Sequence, residues 1–402
     1  ISYDKESGEL VLHNYMDLDN LKDYVKISYE LTQDGLLIGK GKLDEVSVVP
    51  HSEGKTNLQV NVPENGKCYL KLTYHLKKEM PLLEEDYILG FDEIEVSQKD
   101  AKCQLAEKWV EKTVTDSELQ VSEDDTQIHI KGREFAYTID RRTALFTEMK
   151  FAGREYLNHP MELNIWRAPT DNDMYIKSEW KKAHYDKAYT RAYMTEVVQG
   201  KHGVKITSHA SVVAETVQKI LDVTITWKIE AAGKIDADIA VTKDDEFPDL
   251  PRFGVRMFLD KKLSAARYFG MGPQESYCDK HQAASHGLYQ ANVDDLHEDY
   301  IRPQENGSHY DCEYVELNNS RYGIVVSAEN AFSFNASYYT QEELEEKTHN
   351  YELTESDSVV FCVDYALNGI GSNSCGPVVL EQYRFDDVLF RFQFTLIPYI
   401  KG

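Results

Sequence analysis

Apolar and polar residues alternate with a period of two along much of this chain. Segment 25–31 reads Val-Lys-Ile-Ser-Tyr-Glu-Leu, and segment 68–76 repeats the pattern with different residues. Successive side chains of a β-strand point to opposite faces, so this spacing places the apolar side chains on one face of a half-buried strand. The alternation therefore predicts an all-β protein.

The beginning of the chain has the strand spacing of a small sandwich. The dipeptide Asp34-Gly35 favours a turn, and it predicts a hairpin between the first alternating segment and 36–38. Segments 68–76 and 91–96 supply further strands. We therefore predict that the chain begins with an immunoglobulin-like β-sandwich.

The sequence becomes polar and loses its alternation between 97 and 124, which indicates a linker. We place the immunoglobulin-like domain with its linker at 1–115 and a second domain at 116–402. Further alternating segments predict that the second domain is one large β-sandwich. These segments are 128–130, 135–139, 221–227, 253–259, 324–327, 359–365 and 390–396.

Two short helices are predicted within the second domain. Thr340 and Glu343 have the spacing of a capping box, which predicts a helix over 341–347. A short surface helix is predicted at 176–184.

The charge balance excludes one class of partner. The chain carries 69 acidic and 44 basic side chains, a net charge of -25, which repels nucleic acid and anionic membrane surfaces. No apolar run approaches the ~18 residues of a membrane helix, and no secretory signal is visible. We expect a cytoplasmic protein that binds neither nucleic acid nor membrane.

The cysteines support a reducing compartment. All six lack the paired spacing of a zinc site or a disulfide framework, so we interpret them as free thiols. They are Cys68, Cys103, Cys278, Cys312, Cys362 and Cys375.

Several common catalytic and metal motifs are absent from the sequence. Gly270-Met271-Gly272 precedes a proline and lacks the third glycine of a dinucleotide-binding turn. Segment 171–173 resembles the start of a calcium loop, but Ile176 and Lys182 replace the required Gly and Glu. The histidines also lack zinc-hydrolase spacing. We predict no metal site in this chain.

Four polar motifs stand out between glycines and prolines. We number them in chain order as 166–173 (WRAPTDND), 270–277 (GMGPQESY), 302–307 (RPQENG) and 369–377 (GIGSNSCGP). Amides, carboxylates and guanidinium groups hydrogen-bond sugar hydroxyls, so this composition is typical of carbohydrate sites. It is equally typical of rigid loops that join strand ends, and the residues alone leave both interpretations open.

The order and spacing of these four motifs resemble the small-chain domain of β-galactosidases of glycoside hydrolase family 2. Residues 1 to about 96 are similar to the immunoglobulin-like domain that precedes it in that family. The resemblance implies a large β-sandwich (supersandwich) of the galactose mutarotase-like type. It also implies retaining hydrolysis of terminal β-D-galactosides such as lactose, by two glutamates about 5 to 5.5 Å apart.

The resemblance implies that those glutamates lie outside this chain. In the family they are carried, with the magnesium ligands, by a (β/α)₈ barrel, and the acid/base Glu follows an Asn. No Asn-Glu dipeptide occurs here, so we assign no catalytic residue and no cofactor to this chain. We interpret Glu275 and Glu305 as structural carboxylates. The implied partners are the barrel domain or a large subunit, a galactoside substrate, and further copies in a homo-oligomer.

The resemblance also implies which residues shape the cleft. In the family a loop of the last domain reaches the barrel mouth and carries a sugar-stacking tryptophan. Here the comparable loop, 372–377, has no aromatic residue, so we expect hydrogen bonds from it instead. The predicted substrate-binding residues are Asn373, Ser374, Cys375, Asp171, Asn172, Asp173 and Arg167.

Two functional alternatives remain at this point. A carbohydrate-binding module needs no catalytic groups, whereas an aldose epimerase needs a His acid paired with a Glu base. His281, His286, His297 and His309 are available for that role, although none lies in a recognisable epimerase motif. The chain can equally be a natural small subunit or part of a longer chain.

Overall fold

The computed structural model describes residues 1–106, 119–371 and 373–401. The chain divides into two compact units, Ile1–Leu105 with His286–Leu288, and Ala106–Ser285 with Tyr289–Gly402. The predicted domain boundary at 115 lies outside the described residues. No helix within the described ranges has the length and apolar character that crossing a membrane requires.

The first unit consists of antiparallel strands and one short helix. Its elements are β1 (Ser2–Asp4), β2 (Glu9–Asn14), α1 (Leu21–Tyr24), β3 (Val25–Gln33), β4 (Leu36–Lys42), β5 (Ser52–Asn57), β6 (Cys68–Leu76) and β7 (Ile88–Glu95). One sheet has the order β1-β2-β5 and the other β4-β3-β6-β7. Leu12 of β2, Leu31 of β3 and Leu70 of β6 are buried in one common core, so the unit is the predicted β-sandwich.

The predicted hairpin is confirmed. Strands β3 and β4 pair antiparallel from Ser28↔Lys42 to Gln33↔Leu36. Gly35 turns the chain between them with φ at 76°, a left-handed conformation that glycine adopts without steric strain.

The second unit is larger and is also built from antiparallel strands. Its elements are β8 (Gln120–Glu123), β9 (Gln127–Lys131), β10 (Phe135–Asp140), β11 (Leu145–Phe151), β12 (Arg154–Glu155), β13 (Leu157–Asn164), α2 (Ile176–Lys182), β14 (Tyr189–Gln199), β15 (Gly203–Val213), β16 (Leu221–Glu230), β17 (Ile235–Lys243), β18 (Arg252–Asp260), β19 (Ala265–Gly272), β20 (Ser285–Asn292), β21 (Ser308–Asn318), β22 (Tyr322–Ser337), α3 (Gln341–Glu346), β23 (Ser358–Leu367) and β24 (Leu389–Ile400). The all-β fold class is therefore confirmed.

Two sheets form this second unit. One is five-stranded with the order β12-β11-β10-β9-β8. The other is 12-stranded and runs β13-β18-β23-β22-β24-β17-β16-β15-β14, with β21 pairing to β22 and β19 joining β20 and β21. Buried and more exposed residues alternate along β16 and β17, as the period of two predicted.

Aromatic side chains connect the two sheets of the second unit. The ring of Trp227 on β16 lies 4.9 Å from the ring of Phe146 on β11 and 6.4 Å from that of Phe394 on β24. Its Nε1 donates a hydrogen bond of 2.8 Å to the carbonyl of Ala144. A fully buried tryptophan with its N–H satisfied joins the sheets into one large sandwich.

Both predicted helices are present. In α3 the backbone N–H of Glu343 donates to the side chain of Thr340 at 3.1 Å, the contact that a capping box provides. Helix α2 ends at Lys182, two residues before the predicted end, because His184 is left-handed with φ at 57°. It is not simply a surface helix, since Trp180 is fully buried and donates through Nε1 to the carbonyl of Asp249.

Candidate functional site

One cavity of about 610 Å³ is lined by residues from all four polar motifs. We call it the four-motif cavity. Its lining comprises Thr170, Asp171 and Asn172 of the first motif, Glu275 of the second, Gln304 and Glu305 of the third, Ile370, Gly371 and Pro377 of the fourth, and Asp279, Lys280, Tyr300, Val378, Val379, Leu380 and Tyr383. Segments far apart in sequence thus form one concave polar surface.

A buried ion pair within the first motif also contacts the start of the fourth motif. Arg167 is 0% exposed, and its Nε and Nη2 donate to the two carboxylate oxygens of Asp173 at 3.1 and 2.7 Å. The same guanidinium donates to the backbone carbonyls of Asn368 and Gly369. Because these donors are satisfied inside the protein, Arg167 and Asp173 hold the start of the fourth motif and lie beneath the cavity lining.

Asp171 and Asn172 do line the cavity. The side chain of Asn172 donates to the carbonyl of Gly371, and the backbone N–H of Asp171 donates to the side chain of Gln304 at 2.9 Å. The carboxylate of Asp279 accepts hydrogen bonds from the backbone N–H groups of Ile370 and Gly371 at 3.1 and 2.7 Å. Hydrogen bonds from Asn172 and from Asp279 therefore fix the start of the fourth motif.

Glu305 of the third motif is anchored by a second buried ion network. Arg252 is 0% exposed and donates to Glu305 at 2.9 Å and to both carboxylate oxygens of Asp364. Burial raises the pKa of the Glu305 carboxyl above its ordinary value, although the guanidinium of Arg252 opposes that shift. These contacts are those of a structural carboxylate.

Glu275 of the second motif has a full set of donors. It pairs with Lys280 and accepts from the hydroxyl of Tyr300 at 2.5 Å and from the backbone N–H of Gly307 at 2.9 Å. Burial would raise the pKa of this carboxyl, but the three donors outweigh burial and hold the pKa below its ordinary value. Glu275 therefore stays charged near neutral pH and joins the second motif to the third.

Residues 131–396 match the family model for the beta galactosidase small chain, and residues 10–97 match the model for β-galactosidase domain 4. The chain belongs to the β-galactosidase small-chain family. The two matches are consistent with the resemblance of the four motifs and of the first domain.

Curated relatives of the β-galactosidase family align with nearly the whole chain. A β-galactosidase of Actinobacillus pleuropneumoniae is 42% identical over 97% of this chain and 38% of its own length. A β-galactosidase of Staphylococcus xylosus is 30% identical over 98% of this chain and 39% of its own length. The chain thus spans under two fifths of the length of these relatives.

Solved structures give a weaker comparison. Galactose 1-epimerase from Lactobacillus acidophilus aligns with 72% of this chain and with its own whole chain, at 8% identity and a TM-score of 0.38. A TM-score this low does not support an inference about the function of this chain.

The late turn of this family member lies beside the lining of the four-motif cavity. Gly371 and Pro377 line the cavity, and the turn at 373–375 lies between them in sequence. Ser374 and Cys375 are exposed and Asn373 is partly exposed, and none of these three contributes to the lining. Ser372 lies outside the described residues. That this turn contacts substrate stays a prediction.

Sequence reasoning missed several lining residues. Asp279, Lys280 and Tyr300 lie outside the four motifs, although the first two closely follow the second motif. An apolar wall, 377–380, begins at the last residue of the fourth motif, and sequence reasoning missed its remainder, in which Val378 is 60% and Leu380 is 61% exposed. Carboxylate, ammonium, phenol and amide groups can hydrogen-bond the hydroxyls of a sugar ring. The apolar wall beside them can pack against the C–H groups of the same ring.

The four histidines considered for an epimerase lie outside the four-motif cavity. Of the residues that line the four-motif cavity, none is a histidine. His309 is 1% exposed, and its ring lies 4.5 Å from that of Tyr268 and 5.0 Å from that of Phe334. Burial lowers the pKa of His309 to about 4, so this ring is neutral near pH 7.

The acidic side chains do not converge as metal ligands. Across 1–106, 119–371 and 373–401, no group of three His, Cys, Asp or Glu residues is arranged to hold a metal ion.

Proposed function

We propose that this chain is the C-terminal part or the small subunit of a β-galactosidase that hydrolyses terminal β-D-galactosides with retention. The observation that carries this proposal is the 42% identity over 97% of the chain to a protein named β-galactosidase. The chain spans only 38% of that relative, so the catalytic glutamates are proposed to lie in the remainder.

We assign the chain the role of shaping the cleft at its aglycone side. The four-motif cavity supports this role because charged and amide groups line it together with the apolar wall 377–380. Glu275 and Glu305 are held by Lys280 and Arg252, so these two glutamates are fixed groups and do not form a free acid/base pair. A wall of this kind positions a sugar without performing proton transfer.

The apolar wall also supports docking of the catalytic barrel. Val378 and Leu380 expose most of their side chains next to a polar cavity. Large exposed apolar groups of this kind are typical of interaction surfaces. We propose that the barrel domain or large subunit covers them.

The test is hydrolysis of a chromogenic β-galactoside by the purified chain, alone and after addition of the remainder of the enzyme. We expect the chain alone to match the buffer blank and the combination to turn over substrate. Turnover by the chain alone that disappears in Glu275→Gln or Glu305→Gln would overturn the proposal.

Two alternatives make different predictions for the same protein. A carbohydrate-binding module binds galactose with a micromolar dissociation constant without any hydrolysis in the reconstituted enzyme. An aldose epimerase accelerates exchange between galactose anomers, which NMR detects directly. We expect neither result, because a partial cleft offers few convergent contacts and no histidine lines this cavity.

We also propose a cytoplasmic location and a homo-oligomeric enzyme. All six cysteines are free, and Cys375 is exposed, which suits a reducing compartment. Quantifying free thiols in protein isolated with a thiol-blocking reagent tests the location. Light scattering on the complete enzyme tests the oligomer.

A further inference from the structure

A second cavity of about 310 Å³ lies within the larger unit. We call it the tyrosine cavity. Neighbouring strands supply part of its lining, with Ser308 and Tyr310 on β21, Ser333 on β22 and Tyr365 on β23. The segment 382–387 supplies more of the lining. The cavity is therefore built mainly on rigid sheet.

Aromatic rings of fixed orientation line this cavity. Tyr365 stacks on Phe390 with ring centroids 4.9 Å apart and an interplanar angle of 16°. Tyr310 stacks on His281 at 5.7 Å. Tyr310, Tyr365 and Tyr383 are all partly exposed. Rigid aromatic rings with accessible surface suit the C–H face of a sugar ring, because both partners are preorganised.

One hydroxyl at this cavity has no hydrogen-bond partner among the described residues. Ser308 is 1% exposed, and its Oγ is buried without a hydrogen bond. Buried polar atoms in native proteins are nearly always paired, and an unpaired one is destabilising unless something else satisfies it. Because Ser308 lines the cavity, a rotation of its side chain would bring this hydroxyl within reach of a ligand hydroxyl.

The polar groups of the lining define the chemistry of the ligand. Asp311 and Asp387 provide carboxylates, and Gln382 and Arg384 provide donors, so the cavity offers both acceptors and donors. Two carboxylates against one guanidinium disfavour phosphorylated sugars and sugar acids. The guanidinium disfavours a simple cation. A neutral ligand with many hydroxyls and an apolar face satisfies all of these groups.

We propose that the tyrosine cavity binds one neutral pyranose, at a site separate from the four-motif cavity. Its volume lies at the small end of the range of ligand pockets, about 300 to 1,000 Å³, which suits a single sugar ring. Tyr383 lines both cavities, so a sugar bound here lies next to the four-motif cavity. The site binds sugar whether or not the complete enzyme hydrolyses galactosides.

The experiment is saturation-transfer NMR with calorimetry on the purified chain, using D-galactose, D-glucose and D-galacturonate. We expect both neutral hexoses to bind with millimolar dissociation constants and galacturonate to bind more weakly. The proposal would be wrong if neither neutral hexose showed saturation transfer. It would also be wrong if galacturonate bound more tightly than the neutral hexoses.

Ser308→Ala separates a ligand contact from a structural role. Removing an unpaired buried hydroxyl should leave the melting temperature unchanged or raise it, while hexose affinity falls about two- to twelve-fold with the lost hydrogen bond. Ser358→Ala is the matched control, because Ser358 is 0% exposed and its hydroxyl bonds to both Asp357 and Asn158. That variant should lose stability and keep its hexose affinity.

Two further variants locate the bound sugar. Gln382→Ala changes an exposed residue of the tyrosine cavity and should weaken hexose binding. Asn172→Ala changes the four-motif cavity and tests whether the hexose binds there instead. If Asn172→Ala abolished binding while Ser308→Ala and Gln382→Ala did not, the sugar would occupy the other cavity and the proposal would be wrong.

Discussion

Arg167 and Asn373 belong to polar motifs around the same cavity, yet the fold treats them in opposite ways. Arg167 is 0% exposed, and it donates to Asp173 and to two backbone carbonyls. Asn373 lies on a turn and is partly exposed, and its side chain makes no hydrogen bond to another described residue. Motifs of similar polar composition thus supply both a buried network, which we call the scaffold, and a partly exposed turn, which we call the edge. We expect substitutions in the scaffold to change stability and those at the edge to change affinity.

The largest expected effect is on stability and comes from the buried network of Arg252. Arg252→Ala leaves Asp364, which is 0% exposed, and Glu305 as buried carboxylates without their guanidinium partner. The free energy of unfolding should fall by about 3 to 5 kcal/mol, measured by urea denaturation.

An exposed ion pair provides the control for that prediction. Arg391 on β24 pairs with Asp238, but its side chain is 60% exposed. Arg391→Ala should leave the free energy of unfolding nearly unchanged, because solvent screens such pairs. If Arg252→Ala and Arg391→Ala lowered the free energy of unfolding equally, the distinction between scaffold and surface would be wrong.

Glu275 gives an intermediate effect that depends on pH. Its folded pKa lies below the unfolded value of about 4.3, so its stabilising contribution is complete above that pH and is lost as pH falls through the folded pKa. Glu275→Gln should lower the free energy of unfolding by about 1 to 3 kcal/mol at pH 7. The difference between the two proteins should shrink below pH ~4.3.

Urea denaturation at several pH values measures this difference. Glu215→Gln, at an exposed turn residue, is the control and should show no such pH-dependent difference. If the free energies of unfolding of wild type and Glu275→Gln differed by the same amount across the acid range, the charge of Glu275 would not stabilise the fold.

The smallest effects are expected at the late turn and appear only in the complete enzyme. An aglycone-side contact is made equally in the ground and transition states, so Asn373→Ala should raise KM about two- to twelve-fold and leave kcat unchanged. Cys375→Trp should lower KM about twofold if the new ring stacks on the sugar. Steady-state kinetics with lactose measures both. A large fall in kcat at constant KM would contradict this placement of the turn.

The period-two alternation predicted the fold class because it directly reports which face of a strand is buried. Strands β16, β18 and β23 contain the predicted segments 221–227, 253–259 and 359–365. Strand β14 was missed because it has exposed and half-buried aromatic and apolar residues, including Tyr193, Met194 and Val198, on both of its faces. An edge strand of this kind carries no clean alternation.

The candidate site was only partly predictable from sequence. The four motifs marked polar turns, because glycines and prolines lie between their polar residues, and only the structure shows that residues of all four line one cavity. The role of each residue depended on burial, which local sequence does not encode. Arg167 and Asp173 pair with each other in the interior, whereas Asp171 and Asn172 face the cavity from the same short motif.

The position of β24 has a consequence for how the larger unit is made. This strand comes last among the strands of the chain, yet it lies in the middle of the 12-stranded sheet, between β22 and β17. Without it, β13-β18-β23-β22 and β17-β16-β15-β14 have no shared hydrogen-bonded neighbour along this path. During synthesis each half-sheet keeps an edge strand without a hydrogen-bonded neighbour until Leu389–Ile400 has left the ribosome. Chaperone dependence of the larger unit should therefore fall once Leu389–Ile400 has emerged.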